Sequence, residues 1–472
     1  KRRRSELTAT SPQLGSMSAE NKLSTERIDG QEQPFWSAGP FKIRLPFVHY
    51  KFEWPDYFQG LLMCAVDLSA IPLMTELLGM PFEVALAVVV LNGLFYLTHH
   101  LLGDPVVPGW ITPAIPLLMA YCTTFPEGPE RVHALVAFQM MLGIFSIFIG
   151  LAHRVVQLIP SAIKAGIIAG AGFAAVISVF QIGGRFDSFP FTITIAVGLG
   201  FYVIFSRQFA RIKNSNPVLA LIGKLGVFPI ILLAVIIAPL FGEAPWPKLE
   251  WSLTSPDFST LWREYTVFGL GLPPLSMFIT AIPTMFAAYI VLFGDVLQSR
   301  AILKEADEAR PDEKIDYSPD RAHLIFGGRN AAMSVLGPDV CMCGPLWSAM
   351  HVVITERFSQ GKKAMHSIFG GAGSFRWGTN TGLFLMPIVT LVQPILGVAL
   401  ALTLLIQGYV SVRVGILEAR SQRDLGIAGV VGAVLATRGA AWAFATGVVL
   451  CLLIYGRDFF RGEIDNTFTK DN

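Results

Sequence analysis

Charge is what this sequence has least of. Of 472 residues, 15% are Asp, Glu, Lys or Arg and 53% are apolar, with a mean hydropathy of +0.55. Soluble domains carry more charge, about 25%. Cysteine is also scarce. Cys64, Cys122, Cys341, Cys343 and Cys451 are odd in number and show no pairing pattern, so free thiols are expected rather than a disulfide framework. The eight histidines are scattered. No glycine-rich phosphate loop, catalytic triad or second Cys/His cluster appears, so the expectation is no enzyme, no cofactor and no metal. The net charge of +2 gives no sign of a nucleic-acid partner.

What is there instead is a series of long apolar runs between residues 57 and 456. About twenty apolar residues in a helix span the roughly 30 Å core of a bilayer. The chain therefore reads as an all-α polytopic membrane protein with about fourteen spans, from 57–79 through 440–456. Lys and Arg support this count. With the N-terminus inside, Arg154, Arg207, Arg211, Lys213, the charged run from Arg300 to Arg321, Arg357, Lys362, Lys363, Arg413, Arg420 and Arg423 all fall on the cytoplasmic side. Only Arg131, Arg185, Lys248, Arg263 and Arg438 fall outside. This asymmetry obeys the positive-inside rule and places both termini in the cytoplasm. Residues 1–50, starting KRRR, read as a disordered basic tail, and 457–472 as a short cytoplasmic tail. The loop 304–323 mixes both charge signs and reads as solvated. The loop 243–265, rich in Trp and Pro, reads as external.

Two spans are short and interrupted by Pro and Gly: VVPGWITPAIPLLMAY (106–121) and DVCMCGPLWSAMHVV (339–353). Gly109 and Gly344 stand 235 apart (344 − 109), and Pro160 and Pro394 stand 234 apart (394 − 160). One offset at two landmarks suggests two halves, about 57–241 and 274–456. Seven spans per half is odd, so the halves enter the membrane from opposite sides as an inverted repeat. In such folds a matching pair of interrupted segments is the best pointer to a ligand site. A helix that starts inside the membrane offers free N–H groups and the positive end of its dipole. That reading also covers the C-x-C pair Cys341/Cys343. Two thiolates are too few for a structural zinc, which takes four ligands.

Four stretches, MTELLGMPFEVALAVVVLNGLFY, VPGWITPAIPLL, IPSAIKAGIIAGAGF and LLIQGYVSVRVGILEARSQRDLGIAGVVGAVLATRGA, resemble the nucleobase–cation symporter-2 family, the xanthine/uracil/ascorbate permeases. The resemblance runs over about 50–456, in spans and loops more than in identities. It implies fourteen spans in two inverted halves of seven, arranged as a core and a gate domain, a fold shared with bicarbonate/borate and sulfate permeases. It also implies residue roles. Asp295 falls near the family's substrate-binding, proton-coupling glutamate, with Gln298 on the same helical face. Trp110 and Thr112 frame the first break, and Gly344 lies in the second. Trp347 or Ser348 stands where the permeases place a second acidic or amide residue, a departure that weighs against uracil or xanthine.

Charged residues within spans are functional candidates by default. Asp67 sits mid-span and, with Asp295, Arg329 and His351, is a candidate for ion coupling. Arg329 is either a counter-ion for Asp295 or an attractor of an anionic substrate. His351 is either a satisfied helix residue or a proton site, and Asp295 is either functional or paired with Arg300. The resulting expectation is a secondary active transporter, a symporter or permease, of the plasma membrane or bacterial inner membrane. It would carry a nucleobase-like heterocycle with H⁺ or Na⁺; the alternative is a small anion carrier on the same fold. A homodimer is left open. The topology has a direct test. In a background free of the five native cysteines, Thr254→Cys is expected to react with an impermeant label added outside. Reaction only from the cytoplasmic side would overturn the map.

Overall fold

The computed structural model describes residues 19–21, 23–152, 159–213 and 215–456. The first eighteen residues, Arg154 and the 457–472 tail lie outside the described residues. The protein is a helical, multi-pass membrane protein. Six helices are long and apolar enough to cross a bilayer: Trp54–Leu78, Phe82–Leu101, Pro129–Leu151, Ser161–Ser188, Leu275–Ala309 and Met386–Glu418. A seventh candidate, Pro217–Gly223 with Phe228–Leu240, is bent by 95°. Thr112–Cys122, Pro190–Phe205 and Ala440–Tyr455 are apolar but shorter. Fourteen membrane-length helices are therefore not reached among the described residues. The helix Pro319–Leu336 shows why: it buries Arg321, His323, Arg329 and Asn330 against protein, so it needs no apolar coat there.

Helices far apart in sequence pack together in pairs. The helix Trp54–Leu68 lies against Ile368–Gly382, while Leu275–Ala309 lies against Pro129–Ala152 and Ser161–Phe180 against Leu396–Glu418. Lipid supplies no hydrophobic drive between helices, so close backbone approach through small residues must hold them. A Cβ on Gly60 would lie 2.0 Å from the Phe375 carbonyl oxygen, and one on Gly378 2.0 Å from that of Tyr57. Gly172 and Gly408 meet in the same way between the 161–180 and 396–418 helices.

The N-terminal segment departs from expectation. From about residue 24 to residue 50 it is a folded strap, not a disordered tail. Strands Trp36–Ala38 and Phe41–Ile43 pair antiparallel about a Gly39–Pro40 turn, with Gly39 at φ +60°. The strap spends its cations on specific partners. Arg27 pairs with Asp312 and Glu313 and donates to the His366 carbonyl at 2.6 Å. Arg44 is buried with its guanidinium 4.1 Å from the Phe369 ring centre. Backbone bonds run from Lys314 to Gln31 and from Lys42 to Leu102. The 304–323 loop is correspondingly not a free solvated loop: Arg310, Glu313 and Arg321 are buried in it. Composition alone suggested disorder because the segment has few apolar residues. Its order comes from complementary charge on a distant loop.

Asp312 is the hub of this contact. Its hydrogen bond from Arg310, helped by the charges of Arg310 and Arg27, holds the carboxyl down at about 2. A depressed carboxylate contributes stability above its ordinary value of 3.8, and that contribution is lost only as pH falls toward 2. The clasp therefore stays closed across neutral and mildly acidic pH. Asp312→Asn is expected to cost about 1–2 kcal/mol locally and to speed trypsin cleavage after Arg27 about tenfold. An unchanged cleavage rate would show that Asp312 does not hold the strap.

Candidate functional site

The two interrupted segments cross inside the helix bundle and pair there as a short antiparallel bridge between Gly109 and Gly344. The Gly344 N–H donates to the Gly109 carbonyl at 2.9 Å, the Gly109 N–H to that of Gly344 at 3.4 Å, and the Trp347 N–H to that of Val107 at 2.7 Å. Both glycines are required by space. A Cβ on Gly344 would lie 2.5 Å from the Trp110 carbonyl oxygen, and one on Gly109 2.9 Å from that of Leu346. Each segment opens with an aspartate that caps its own turn: Asp104 accepts from the Val106 N–H, and Asp339 from the Cys341 N–H. Asp104 and Asp339 stand at the same offset of 235 (339 − 104) as the glycines. The cysteine pair lies within the second turn, where Met342 takes a left-handed φ of 58° and both thiols are buried.

Irregular backbone at this depth must be satisfied by protein. Asn330 does so for Cys343 on both sides: its Oδ1 accepts from the Cys343 N–H at 2.9 Å and its Nδ2 donates to the carbonyl at 2.8 Å. Gln139 accepts from the Asp339 N–H at 2.9 Å. Arg329 donates to the Gly344 carbonyl at 3.1 Å, to Asn92 Oδ1 at 3.0 Å and to His99 Nε2 at 2.9 Å. Arginine has no acceptor, so His99 Nε2 must accept, and its Nδ1–H donates to Asp104, 2.6 Å away. Asn92 in turn donates to Asp339. Arg329 is thus bound into the crossing. Its Nη1 and Nη2 are held by His99, Gly344 and Asn92 while Nε has no partner, and it makes no ion pair with Asp295.

Beside the bridge lies a small cavity of about 30 Å³, room for about two water molecules. Helices starting at Thr112 and Ser348 both open onto it, and neither has a side-chain cap. The Ser348 start leaves its first N–H groups without internal acceptors. The Thr112 start offers only its own N–H, because Pro113 has none and the Ala114 N–H donates to the Ile111 carbonyl at 2.9 Å. Asp67, Tyr96, Trp110, Trp347, Arg376 and Gln407 complete its wall. Arg376 is fully buried. Its Nη1 lies 3.2 and 3.4 Å from the two Asp67 carboxylate oxygens, and its Nη2 donates to the Pro108 carbonyl. The guanidinium lies 3.7 Å from the Tyr96 ring centre and 4.8 Å from that of Trp347. Two donors beside it, Arg376 Nε and the Tyr96 hydroxyl, are buried without a partner.

Of the residues singled out from sequence, Asp67, Trp110, Thr112 and Trp347 line this cavity, and Gly344 is paired behind it with Gly109, which does line it. Ser348 starts the second helix and donates to Gln407 at 3.0 Å. His351 Nδ1 accepts from the Val107 N–H at 3.3 Å, while its Nε2 is buried without a partner. Asp295 and Gln298 are not part of the lining. Asp295 is buried with Oδ2 unpartnered, and neither Arg300 nor Arg329 pairs with it. Sequence reasoning missed Arg376, although an arginine in the span SFRWGTN satisfies the same criterion that picked out Arg329. It also missed the repeated Asp-x₄-Gly of 104–109 and 339–344.

No protein-family model matches the chain, and no curated protein matches it in sequence. Solved structures do. The transmembrane domain of a cyanobacterium bicarbonate transporter, BicA, is 16% identical over 83% of this chain and 96% of its own, with a TM-score of 0.47. The murine anion transporter Slc26a9, in its inward-facing state, is 15% identical over 86% of this chain and 68% of its own, with a TM-score of 0.51. A further SLC26A9 structure is 16% identical over 86% and 66%, with a TM-score of 0.50. At these identities the likeness is one of fold. It is carried by the two SLC26A9 structures, and it does not extend to the nucleobase family.

The crossing has its own test. Asn330→Ala leaves both backbone groups of Cys343 without their side-chain partner, at about 1–3 kcal/mol for each buried group. The melting temperature in detergent is expected to fall by several degrees. An unshifted melt would mean that Asn330 does not support the crossing.

Proposed function

We propose that this chain is a secondary active carrier for a small anion, and that the anion binds between Arg376 and the helix N-termini at Thr112 and Ser348. The observation that carries this reading is one cavity wall shared by a buried guanidinium with an unpartnered Nε and two uncapped helix starts. The guanidinium and the Ser348 helix start favour negative charge, and the Thr112 start adds one N–H. The cavity of about 30 Å³ has room for a few-atom ion. In this reading the halves 57–241 and 274–456 form an inverted repeat of seven spans each. The 54–152 and 275–382 helices act as a core carrying the crossing, and the 161–240 and 386–455 helices act as a gate. The plasma or bacterial inner membrane is its setting.

A second reading keeps the nucleobase-like heterocycle. Trp110, Trp347 and Tyr96 around the cavity favour it, since a flat ring stacks on such faces.

Purified protein in liposomes separates the two. Uptake of labelled formate or bicarbonate is expected, with no uptake of uracil or xanthine. The reverse result would establish the heterocycle reading. Arg376→Gln is expected to weaken anion uptake by about 30-fold or more, the scale of truncating one partner of a buried charge pair, about 2–5 kcal/mol. Arg376→Lys restores the charge without the planar fork and is expected to recover only part of that loss.

A further inference from the structure

We infer that Asp67 is a tethered competitor for Arg376, and that a singly charged oxyanion enters the site together with one proton that settles on Asp67. This rests on the small-anion reading above and adds the coupling ion, the ratio and the charge of the substrate.

The pair is incomplete as an ion pair. A strong arginine–carboxylate contact is bidentate, two nitrogens to two oxygens, at about 2.7–2.9 Å. Here one nitrogen, Nη1, faces both Asp67 oxygens at 3.2 and 3.4 Å and also reaches Thr379 Oγ1 at 3.4 Å. Nη2 is held by the Pro108 carbonyl, and Nε has no partner. Asp67 therefore balances the charge of Arg376 without filling its donors. Both residues face the cavity, so an incoming anion meets the guanidinium with the carboxylate already beside it.

Charge counting then fixes the order of events. With the site empty, Arg376 and Asp67 sum to zero. A monovalent anion added alone leaves two negative charges on one buried cation, which the low-dielectric interior opposes. A hydronium ion from the aqueous side gives up one O–H bond and leaves as water while the Asp67 carboxylate gains one, and the loaded site is again neutral. Empty and loaded sites then carry the same net charge. The transfer is electroneutral, one proton with one anion, and a divalent anion would need a second proton.

The surroundings single out Asp67 for this role. On its own helix the nearest titratable group is the Cys64 thiol. Facing it from other elements are Tyr96 on the 82–101 helix, Arg329 on the 319–336 helix, Asp339 and Cys341 on the second interrupted segment, and Arg376 on the 368–382 helix. The 228–240 and 396–418 helices contribute Ile231, Leu402, Thr403, Ile406 and Gln407, none of them titratable. The other buried acids and the histidines have fixed duties or other places. Asp104 holds His99 and a turn, Asp339 holds Asn92 and a turn, His351 holds the Val107 N–H, and Asp295 lies off the cavity.

The test uses the full chain in detergent with formate as the probe. Formate is titrated calorimetrically in two buffers of different ionisation enthalpy, which counts protons taken up per anion bound. The wild type is expected to take up about one proton near pH 7, with Kd rising up to tenfold per pH unit on the alkaline side. Asp67→Asn is expected to bind formate with no proton uptake and a Kd independent of pH. If the wild type binds no formate, the small-anion reading itself fails. If it binds formate without proton uptake, that reading stands and this inference is overturned. Proton uptake that persists in Asp67→Asn also overturns it. Should Asp67→Asn not fold, the wild-type proton count still decides.

Discussion

Everything at this site depends on keeping a stretch of non-helical backbone hydrogen-bonded where water cannot reach it. The Gly109–Gly344 bridge satisfies part of that demand by itself. The remainder falls to side chains from neighbouring helices: Asn330 on both faces of Cys343, Gln139 on Asp339, Arg329 on Gly344 and Arg376 on Pro108. In lipid each such group left bare costs several kcal/mol. The polar composition of the 319–336 helix is therefore a structural requirement of the crossing before it is a matter of ligands.

The buried charges follow from the same demand. Arg329 touches no carboxylate directly. Its charge is passed to Asp104 through His99 and to Asp339 through Asn92, so two polar side chains act as spacers between a cation and two anions. Arg376 instead contacts Asp67 with nothing between them. Each arginine keeps an unpartnered Nε. What separates them is place: Arg376 lines the cavity, and Arg329 stands behind the crossing it supports.

Much of the frame was legible in the sequence. The apolar runs, the two Gly/Pro interruptions and the 235-residue offset pointed to the membrane, the crossing and its two glycines. Asp67, Trp110, Thr112 and Trp347, picked out because they lie on or beside the interrupted segments or in the middle of a span, line the cavity beside it. Asp295 attracted attention as a mid-span acid, but its helical face turns away from the cavity, and a period of 3.6 residues does not reveal which neighbour a face meets. Arg376 escaped notice because its span is rich in glycine and its partner lies 309 residues away. The folded strap escaped for a related reason. Its order depends on Asp312 and His366, far along the chain, and composition reports only local tendencies.

The matched turns at Asp104 and Asp339 repeat one local backbone pattern on either side of the Gly109–Gly344 bridge. The arginines do not follow that repeat. Counting back 235 positions from Arg329 and Arg376 leads to Leu94 and Met141, neither of them charged. The same count back from Ser348 leads to Pro113, which has no N–H. Free backbone donors and positive charge are therefore both concentrated on the 344–376 stretch. An occupant drawn to them must sit off the bridge, displaced toward that stretch, so two turns of one pattern frame a site that is itself lopsided.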